Sequence, residues 1–477
     1  MYLVLILVMN YDRKGSRSVL RLENKWKTLI IICLGIFMST LDGGILNIAN
    51  PSIAEDFAVP LSSVQWVVNA YMLVITASLL MFGRLGDYLG MEKLYTWGFI
   101  VFTLGSALCS QAPSLFFLVS FRVIQALGAS MMMATGIGIV SNSFPDHERG
   151  KALGITGSIV GIGNMAGPSL GGLLIDCFGW PSIFLINLPI GIIAVILAYR
   201  FMMPNASFPH SDNHKFDISG TLLLALTSIL LVLGLSPDVN KALLLAGLLL
   251  VPLFIIVEKG RRPSLINFEL FKIKPFVYGN ILGSISYISH MLIFFLFPFY
   301  LQNLLALSPA QAGLYMTIPP LIMAFTAPVA GYLSDQWGPS RLTSAAFLIM
   351  ALAHLTLSTA GLTINPLCIV LGLVLLGLGL GAFGSPNSSS IMGSIAPDQA
   401  GYAGGFIATV RNLSYSLGTA LSVAIYSTVV QSSYALSTSA PELTAFQTVY
   451  LLGAVLCLAG LIISSTTHSL RKKEVTH

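Results

Sequence analysis

The chain has 477 residues, of which 55% are hydrophobic and only 9% are charged. The surface of a water-soluble globule needs far more charge, so this composition excludes a soluble protein and indicates that the lipid bilayer is the solvent. The net charge of +5 comes from basic residues in loops between apolar runs, and it gives no indication of nucleic-acid binding.

Apolar runs of about 18 residues or more, the length at which a helix crosses a membrane, recur along nearly the whole chain. Strands of a transmembrane barrel would be shorter and would alternate apolar with polar residues, so the pattern predicts an all-α polytopic membrane protein. The predicted helical spans are 28–48, 64–82, 94–110, 114–141, 151–175, 181–202, 217–236, 241–258, 276–301, 309–333, 342–361, 365–391, 399–430 and 444–466.

The distribution of basic residues predicts the orientation, because cytoplasmic loops of membrane proteins are enriched in Lys and Arg. Of the 24 basic residues, only Lys241 falls on one side of the predicted spans, and Arg122 and Arg411 fall inside spans. All the others fall on the opposite side. We therefore expect a multi-pass protein of the cell (plasma) membrane with both termini in the cytoplasm.

An internal repeat indicates that the chain arose by duplication. The pattern G-x-L-x-D-x-x-G-x-x-[KR] occurs at 83–93 and again 248 residues later at 331–341, and Pro-Asp pairs at 145–146 and 397–398 have nearly the same spacing. Duplicated halves of this kind rock about a cavity at the midplane of the membrane. The predicted divisions are a basic cytoplasmic segment 1–27, a six-helix bundle 28–202, a linker with two extra helices 203–275, a second six-helix bundle 276–466 and a cytoplasmic tail 467–477.

Several motifs resemble those of the major facilitator superfamily. Gly83–Lys93 resembles the signature loop between its second and third helices, Arg122–Ala129 its R-x-x-Q-G-x-G-A motif, and Gly161–Gly172 its fifth-helix antiporter motif. Leu41–Pro51 and Gly179–Gly191 narrow the resemblance to the fourteen-spanner drug:proton antiporter family, whose members are multidrug exporters.

The resemblance implies a major facilitator fold with two six-helix bundles and two inserted central helices. It implies a proton-coupled secondary exporter of amphipathic small molecules or drugs that works by alternating access, without enzyme activity. No cofactor is expected beyond the proton as coupling ion, and we expect a monomer among membrane lipids. The alternatives are an exporter or flippase of a lipid-like or anionic metabolite, or a facilitator that is not coupled to protons.

Ionisable side chains inside a span are costly, about 3 kcal/mol at the bilayer centre, and mark functional sites. Asp42 and Arg122 are two of them. Desolvation favours the neutral form of a carboxyl group and a nearby cation favours the ionised form, so an Asp42 that approaches and leaves Arg122 would release and bind a proton. Gln125 lies one helical turn from Arg122 and can hold the guanidinium. A static ion pair that fixes helix packing is the alternative.

Polar and aromatic residues within spans predict a substrate cavity, formed by Asn47, Asn69, His290, Phe294, Arg411 and Asn412. The aromatic ninth span suits flat amphipathic ligands. Because no acidic residue shares a span with Arg411, we expect a cavity that takes neutral, monocationic or anionic amphiphiles. Alternatively, the rings face lipid, and Arg411 bonds to backbone carbonyls or extends toward the cytoplasmic face.

Two sets of residues predict gates. In the fifth span, Gly163, Gly167 and Gly171 permit close helix approach and Pro168 interrupts the hydrogen-bond ladder, which suits a gate or, alternatively, a plain packing seam.

In the repeated loops, Gly83 and Gly90 allow unusual dihedral angles, and the carboxylates of Asp87 and Asp335 can cap a helix and latch the cytoplasmic side. Ordinary solvated turns are the alternative. No spacing of Cys, His, Asp or Glu indicates a metal site.

Overall fold

A computed structural model describes residues 24–202, 218–236, 239–260, 267–363, 366–396, 399–435 and 440–475. Within these residues every regular element is a helix and none is a strand, so the all-α prediction is confirmed. Twelve of the described helices are long and apolar enough to cross a membrane, and Ser219–Leu235 forms a further, shorter apolar helix. Segment 1–23 and most of the predicted linker before the seventh span lie outside the described residues.

The first half contains six long helices and one short one. The long helices are α1 (Asn24–Asp56), α2 (Leu61–Leu89), α3 (Met91–Cys109), α4 (Leu115–Ser143), α5 (Asp146–Phe178) and α6 (Asn187–Phe201). A single helical turn, Ser182–Leu185, precedes α6. The sixth span, predicted as one helix over 181–202, is therefore broken near Ile186.

Two helices, α7 (Ile218–Leu235) and α8 (Ala242–Lys259), follow the first half, as the sequence predicts. The second half contains α9 (Lys274–Phe294), α10 (Pro309–Trp337), α11 (Pro339–Thr363), α12 (Pro366–Met392), α13 (Ala400–Ala435) and α14 (Pro441–Val475). A short 3₁₀ helix, Phe268–Lys272, precedes α9.

The predicted ninth span is also not one regular helix. It continues past Phe294 as a short helix, Phe297–Phe299, and a π-helical turn, Tyr300–Leu304. Pro298 lies within this region and has no amide hydrogen to donate, so the regular i to i−4 ladder is interrupted there. The π-helical turn brings Gln302 to α1, where its Nε2 donates to the Ile48 carbonyl at 3.0 Å.

The two halves meet along two helix pairs, α5 with α10 and α2 with α13. The inserted helix α7 packs on α2 and α13, where Val232 lies in one apolar cluster with Leu73 and Ala420. Helix α8 packs on α7 through close approaches at Gly234 and Gly247. The inserted pair therefore lies along the α2–α13 seam.

The antiparallel helices define two ends of the molecule. The end that carries Arg84, Lys93, Arg149 and Arg341 is here called the basic face. The opposite end, where α5 passes through Gly179 into Trp180, is called the Trp180 face.

Candidate functional site

The first half encloses an ion pair. Asp42 on α1 accepts a hydrogen bond at Oδ2 from Nη1 of Arg122 on α4, at 2.7 Å. Only 4% of Asp42 and 1% of Arg122 are exposed. Charges withdrawn from water need paired and hydrogen-bonded partners, so this arrangement depends on the groups around it.

Gln125 and Asn187 complete the hydrogen bonding of the ion pair, and Ser106 accepts from both of these amides. Gln125 Oε1 accepts from Arg122 Nη1 at 2.6 Å, and Gln125 Nε2 donates to Asp42 Oδ1 at 2.8 Å. Asn187 on α6 donates to the same Asp42 oxygen at 3.3 Å. Ser106 Oγ on α3 accepts from Gln125 at 2.8 Å and from Asn187 at 3.4 Å. The site thus joins α1, α3, α4 and α6.

Helix α2 holds the other side of the guanidinium. Arg122 Nε donates to the Val67 carbonyl at 3.2 Å. The Arg122 guanidinium carbon lies 4.1 Å from the centre of the Tyr71 ring, a cation–π contact that stabilises the buried charge.

The carboxylate oxygens of Asp42 are surrounded by hydrogen-bond donors. An ionised carboxylate only accepts hydrogen bonds, and here both oxygens face donors. Tyr71 Oη and Asn187 Oδ1, on two residues that contact the pair, are buried without a hydrogen-bond partner among the described residues, as is Asn47 Oδ1 farther along α1.

The second half presents a cluster of rings between α9 and α13. His290 stacks on Phe294 with ring centres 4.8 Å apart, and its ring lies 6.1 Å from that of Tyr415. Tyr287 meets Tyr415 edge to face at 5.5 Å. We call these four residues the aromatic wall. Arg411 is half-buried on α13, one helical turn before Tyr415.

A direct hydrogen bond links the two halves beside the aromatic wall. Ser416 Oγ on α13 donates to Asn69 Oδ1 on α2 at 3.1 Å, while Asn69 Nδ2 is buried without a partner among the described residues. His290 Nδ1 is likewise buried without a hydrogen-bond partner among the described residues. Asn412 instead donates to the Ala408 carbonyl of its own helix at 2.8 Å. Asn69 is therefore joined directly to α13, the helix that carries Arg411 and Asn412.

Asn47 lies apart from that group, on α1. Its Nδ2 donates to the Gly43 carbonyl at 2.9 Å. The residue is five positions beyond Asp42 and 4% exposed. Among the described residues no hydrogen bond joins Asn47 to the ion pair or to the aromatic wall, so the structure does not bring it together with the other predicted cavity residues.

The predicted gate glycines of α5 pack on the segment of α1 that carries Asp42. A Cβ atom added at Gly167 would lie 2.9 Å from the Gly44 Cα, and one at Gly171 would lie 3.1 Å from the Ile45 Cα. A Cβ at Gly163 would meet Thr40. These positions admit no side chain without movement of α1.

The neighbouring residues of α5 face the second half. The Pro168 carbonyl contacts Gly313, and Gly172 packs on the backbone of Pro309 and Ala310. Ser169 Oγ and Thr317 Oγ1 are 2.5 Å apart. All of these contacts lie in the part of α5 nearest the Trp180 face. Toward the basic face, a Cβ at Gly150, Gly154, Gly157 or Gly161 would have no described neighbour within 4 Å.

The aspartates of the two repeated motifs lie at the ends of helices, whereas the sequence predicts them in the loops. Asp87 lies in the last turn of α2 and Asp335 in the last turn of α10, because each helix continues until the next glycine. The turn itself is made at Gly90, with φ +96°, and at Gly338, with φ +84°. Gly83 is inside α2. Positive φ values strain residues with a Cβ atom, so the glycines account for the motif's spacing.

Sequence reasoning did not name Ser106, Asn187, Tyr71 or Ser416 as site residues. Asn187 had a usable signal, since an amide side chain within an otherwise apolar span requires a partner. Ser106 and Ser416 had none, because a hydroxyl can bond to the carbonyl of its own helix.

The profile of the Major Facilitator Superfamily matches residues 32–419. The riboflavin transporter RibZ of Clostridioides difficile is 48% identical over 462 residues, which cover 95% of this chain and 99% of that protein. The tetracenomycin C resistance and export protein of Streptomyces glaucescens is 31% identical, with 83% of this chain and 75% of that protein covered.

Solved structures share the fold at low identity. An auto-inhibited peptide transporter of the POT family superposes with a TM-score of 0.70 at 14% identity, covering 92% of this chain and 96% of that chain. A bacterial homologue of the lysosomal transporter Spinster, in an inward-facing and unoccupied conformation, gives a TM-score of 0.63 at 15% identity, covering 95% and 96%.

Proposed function

Because this chain belongs to the major facilitator superfamily, and is therefore a multi-pass membrane transporter and not an enzyme, we propose that it carries riboflavin or a similarly flat aromatic compound in exchange for protons. In this proposal it lies in the cell membrane with both termini in the cytoplasm. The two halves alternate between openings at the basic face and at the Trp180 face.

The aromatic wall supports a flat substrate. Riboflavin combines a planar tricyclic ring with a hydroxylated side chain and carries no net charge. Rings such as Tyr415 and Phe294 can stack on such a plane. The buried amide nitrogen of Asn69 and His290 Nδ1 offer hydrogen bonds to its polar edge when the halves move. Arg411 has no carboxylate partner among the described residues, so its positive charge would repel a cationic substrate. This favours a neutral or anionic compound.

The Asp42–Arg122 pair supports proton coupling, and it is the observation on which the proposal mainly rests. The carboxylate is buried and hydrogen-bonded at both oxygens, and it lies on α1, the helix that packs on the proposed gate helix α5. Movement of α5 relative to α1 would alter the surroundings of Asp42. A carboxylate that loses its cation while it remains buried becomes easier to protonate.

The proton gradient is large enough for useful accumulation. One proton that moves through a membrane potential of 100 mV releases about 2.3 kcal/mol. Since each 1.4 kcal/mol corresponds to about a factor of ten, one proton supports a roughly fifty-fold gradient of a neutral compound. For a substrate with one positive charge, one-for-one exchange is electrically neutral and only the pH difference contributes.

Export of aromatic drugs is a second candidate function. It is favoured by the resemblance to the tetracenomycin C export protein and by the glycine-rich α5, which matches the motif of antiporters. The two candidates share one transport mechanism and differ in the compound that is carried.

The test uses purified protein in proteoliposomes with an imposed pH gradient. Riboflavin is followed by its fluorescence and the internal pH by a trapped indicator, with a cationic aromatic dye as the comparison substrate. We expect saturable riboflavin movement that carries protons in the opposite direction. Saturable movement of the dye without movement of riboflavin would favour the second candidate. Transport that is indifferent to the pH gradient would refute proton coupling.

A matched pair of variants distinguishes an effect on substrate binding from an effect on stability. Phe294→Ala removes a ring of the aromatic wall and should raise the KM for riboflavin. Phe446→Ala removes a buried ring that packs on Tyr300 and Tyr426, away from the wall, and should lower stability without a selective change in KM.

A further inference from the structure

Asp176 makes a contact between the two halves at the Trp180 face. It lies on α5, three residues before Gly179, and belongs to the first half. Its Oδ2 atom accepts a hydrogen bond from Ser308 Oγ at 2.9 Å and another from the Ala310 amide at 3.1 Å. The donors are the N-cap residue and the second residue of α10, in the second half.

The chemistry of this contact is that of a helix cap supplied by another helix. Ser308 is the N-cap of α10, and it exchanges hydrogen bonds with Gln311 in a capping box. The amide of Ala310 remains for an outside acceptor. A carboxylate is the favoured acceptor there, because the helix dipole places partial positive charge at the N-terminus.

The contact sits at the end of the closed part of the α5–α10 seam. Next to it, Gly172 lies against the backbone of Pro309 and Ala310, and farther along, Ser169 meets Thr317. The Asp176 contact places a carboxylate beside contacts that are made by backbone and hydroxyl groups. Separation of α5 from α10 would remove both of its hydrogen bonds.

We propose that Asp176 is a gating residue of the transport cycle, whose carboxylate caps α10 of the opposite half and holds the Trp180 face closed. The inference rests on the proposed alternation between the two faces, but not on the identity of the substrate or on proton coupling. Loss of the carboxylate should shift the resting equilibrium toward a conformation open at the Trp180 face. A solvent-exposed charge at a helix N-terminus predicts a shift of about two- to fivefold in the ratio of open to closed molecules.

The experiment measures distances between spin labels in nanodiscs, with both faces accessible and no substrate present. The native cysteines are replaced, and labels are placed through Gln111→Cys in the first half and Leu367→Cys in the second. Both positions are exposed near the Trp180 face. Asp176→Ala should increase the population with the longer separation, and Asp176→Asn, which retains an acceptor oxygen without the charge, should give a smaller increase.

Asp56→Asn is the matched control. Asp56 also lies at the Trp180 face, but its Oδ2 accepts from Trp180 Nε1 at 2.8 Å within the same half, so the change should leave the distance distribution as in the parent protein. Equal distributions for Asp176→Ala, Asp176→Asn and the parent, in folded and monodisperse samples, would overturn the gating role. The gating role would also be overturned if Asp56→Asn increased the population with the longer separation as much as Asp176→Ala does. Because the readout is a distance, failure of riboflavin transport would leave this result interpretable.

Discussion

Replacement of Asp42 by Asn tests the proposed proton site, because it removes the charge and keeps nearly the same shape. In the parent protein Oδ2 accepts from Arg122, and Oδ1 accepts from Gln125 and Asn187. An asparagine offers one acceptor oxygen to these three donors, and its amide group adds a donor of its own. At least one donor therefore loses its partner, and Arg122 loses its counter-charge.

The size of the stability loss expected for Asp42→Asn follows from the burial of Arg122. Removal of one member of a buried ion pair typically costs about 3–5 kcal/mol, because the remaining charge is uncompensated. Arg122 is 1% exposed, so water does not relieve this cost unless the site opens. The contacts with Tyr71 and the Val67 carbonyl persist, which places the expected loss of stability at the lower end, about 3 kcal/mol.

A double variant separates folding from coupling. Asp42→Asn combined with Arg122→Gln removes both charges, and we expect it to regain much of the stability lost in the single variant. Thermal unfolding in detergent measures stability, and proteoliposomes with an imposed pH gradient measure accumulation of riboflavin. The double variant should exchange riboflavin down its own gradient and should not respond to the pH gradient.

Two results would refute this reasoning. Proton-driven accumulation in the well-folded double variant would exclude Asp42 as the coupling group. A stability of Asp42→Asn equal to that of the parent would show that the buried charge of Arg122 needs no carboxylate partner, contrary to the energy assigned to the pair.

Three further predictions follow from single contacts. Gly167→Ala should destabilise the protein in thermal unfolding and slow transport in proteoliposomes, since the new Cβ meets the Gly44 backbone at 2.9 Å. Gly157→Ala is the control: the new Cβ has open space around it, so stability and transport should equal those of the parent. Gly90→Ala should cost about 1–2 kcal/mol in thermal unfolding, because φ is +96° there, and a parent-like melting temperature would contradict this. His290→Phe keeps the stacking ring and removes Nδ1, so it should raise the KM for riboflavin more than it lowers kcat; an unchanged KM would remove His290 from the substrate site.

Sequence reasoning identified Asp42 and Arg122 because ionisable groups are rare in membrane spans, and Gln125 because it follows Arg122 by one helical turn. It also predicted the all-helical membrane fold, since the bilayer thickness sets the length of each apolar run. It could not predict that Asn187 completes the hydrogen bonds of Asp42. That pairing joins residues 145 positions apart, and nothing local specifies it.

The sequence by itself determined the helical type of the spanning segments, the duplicated motifs and the presence of costly charges inside the membrane. Each of these depends on residue type and on spacing along one helix, which local chemistry sets. The tertiary structure alone decided that α7 lies along the α2–α13 seam, that the glycines of α5 face Asp42's segment of α1, and that Asp176 caps a helix of the other half. These contacts depend on how separate helices pack, and that packing is selected by shape and pairing across the whole molecule.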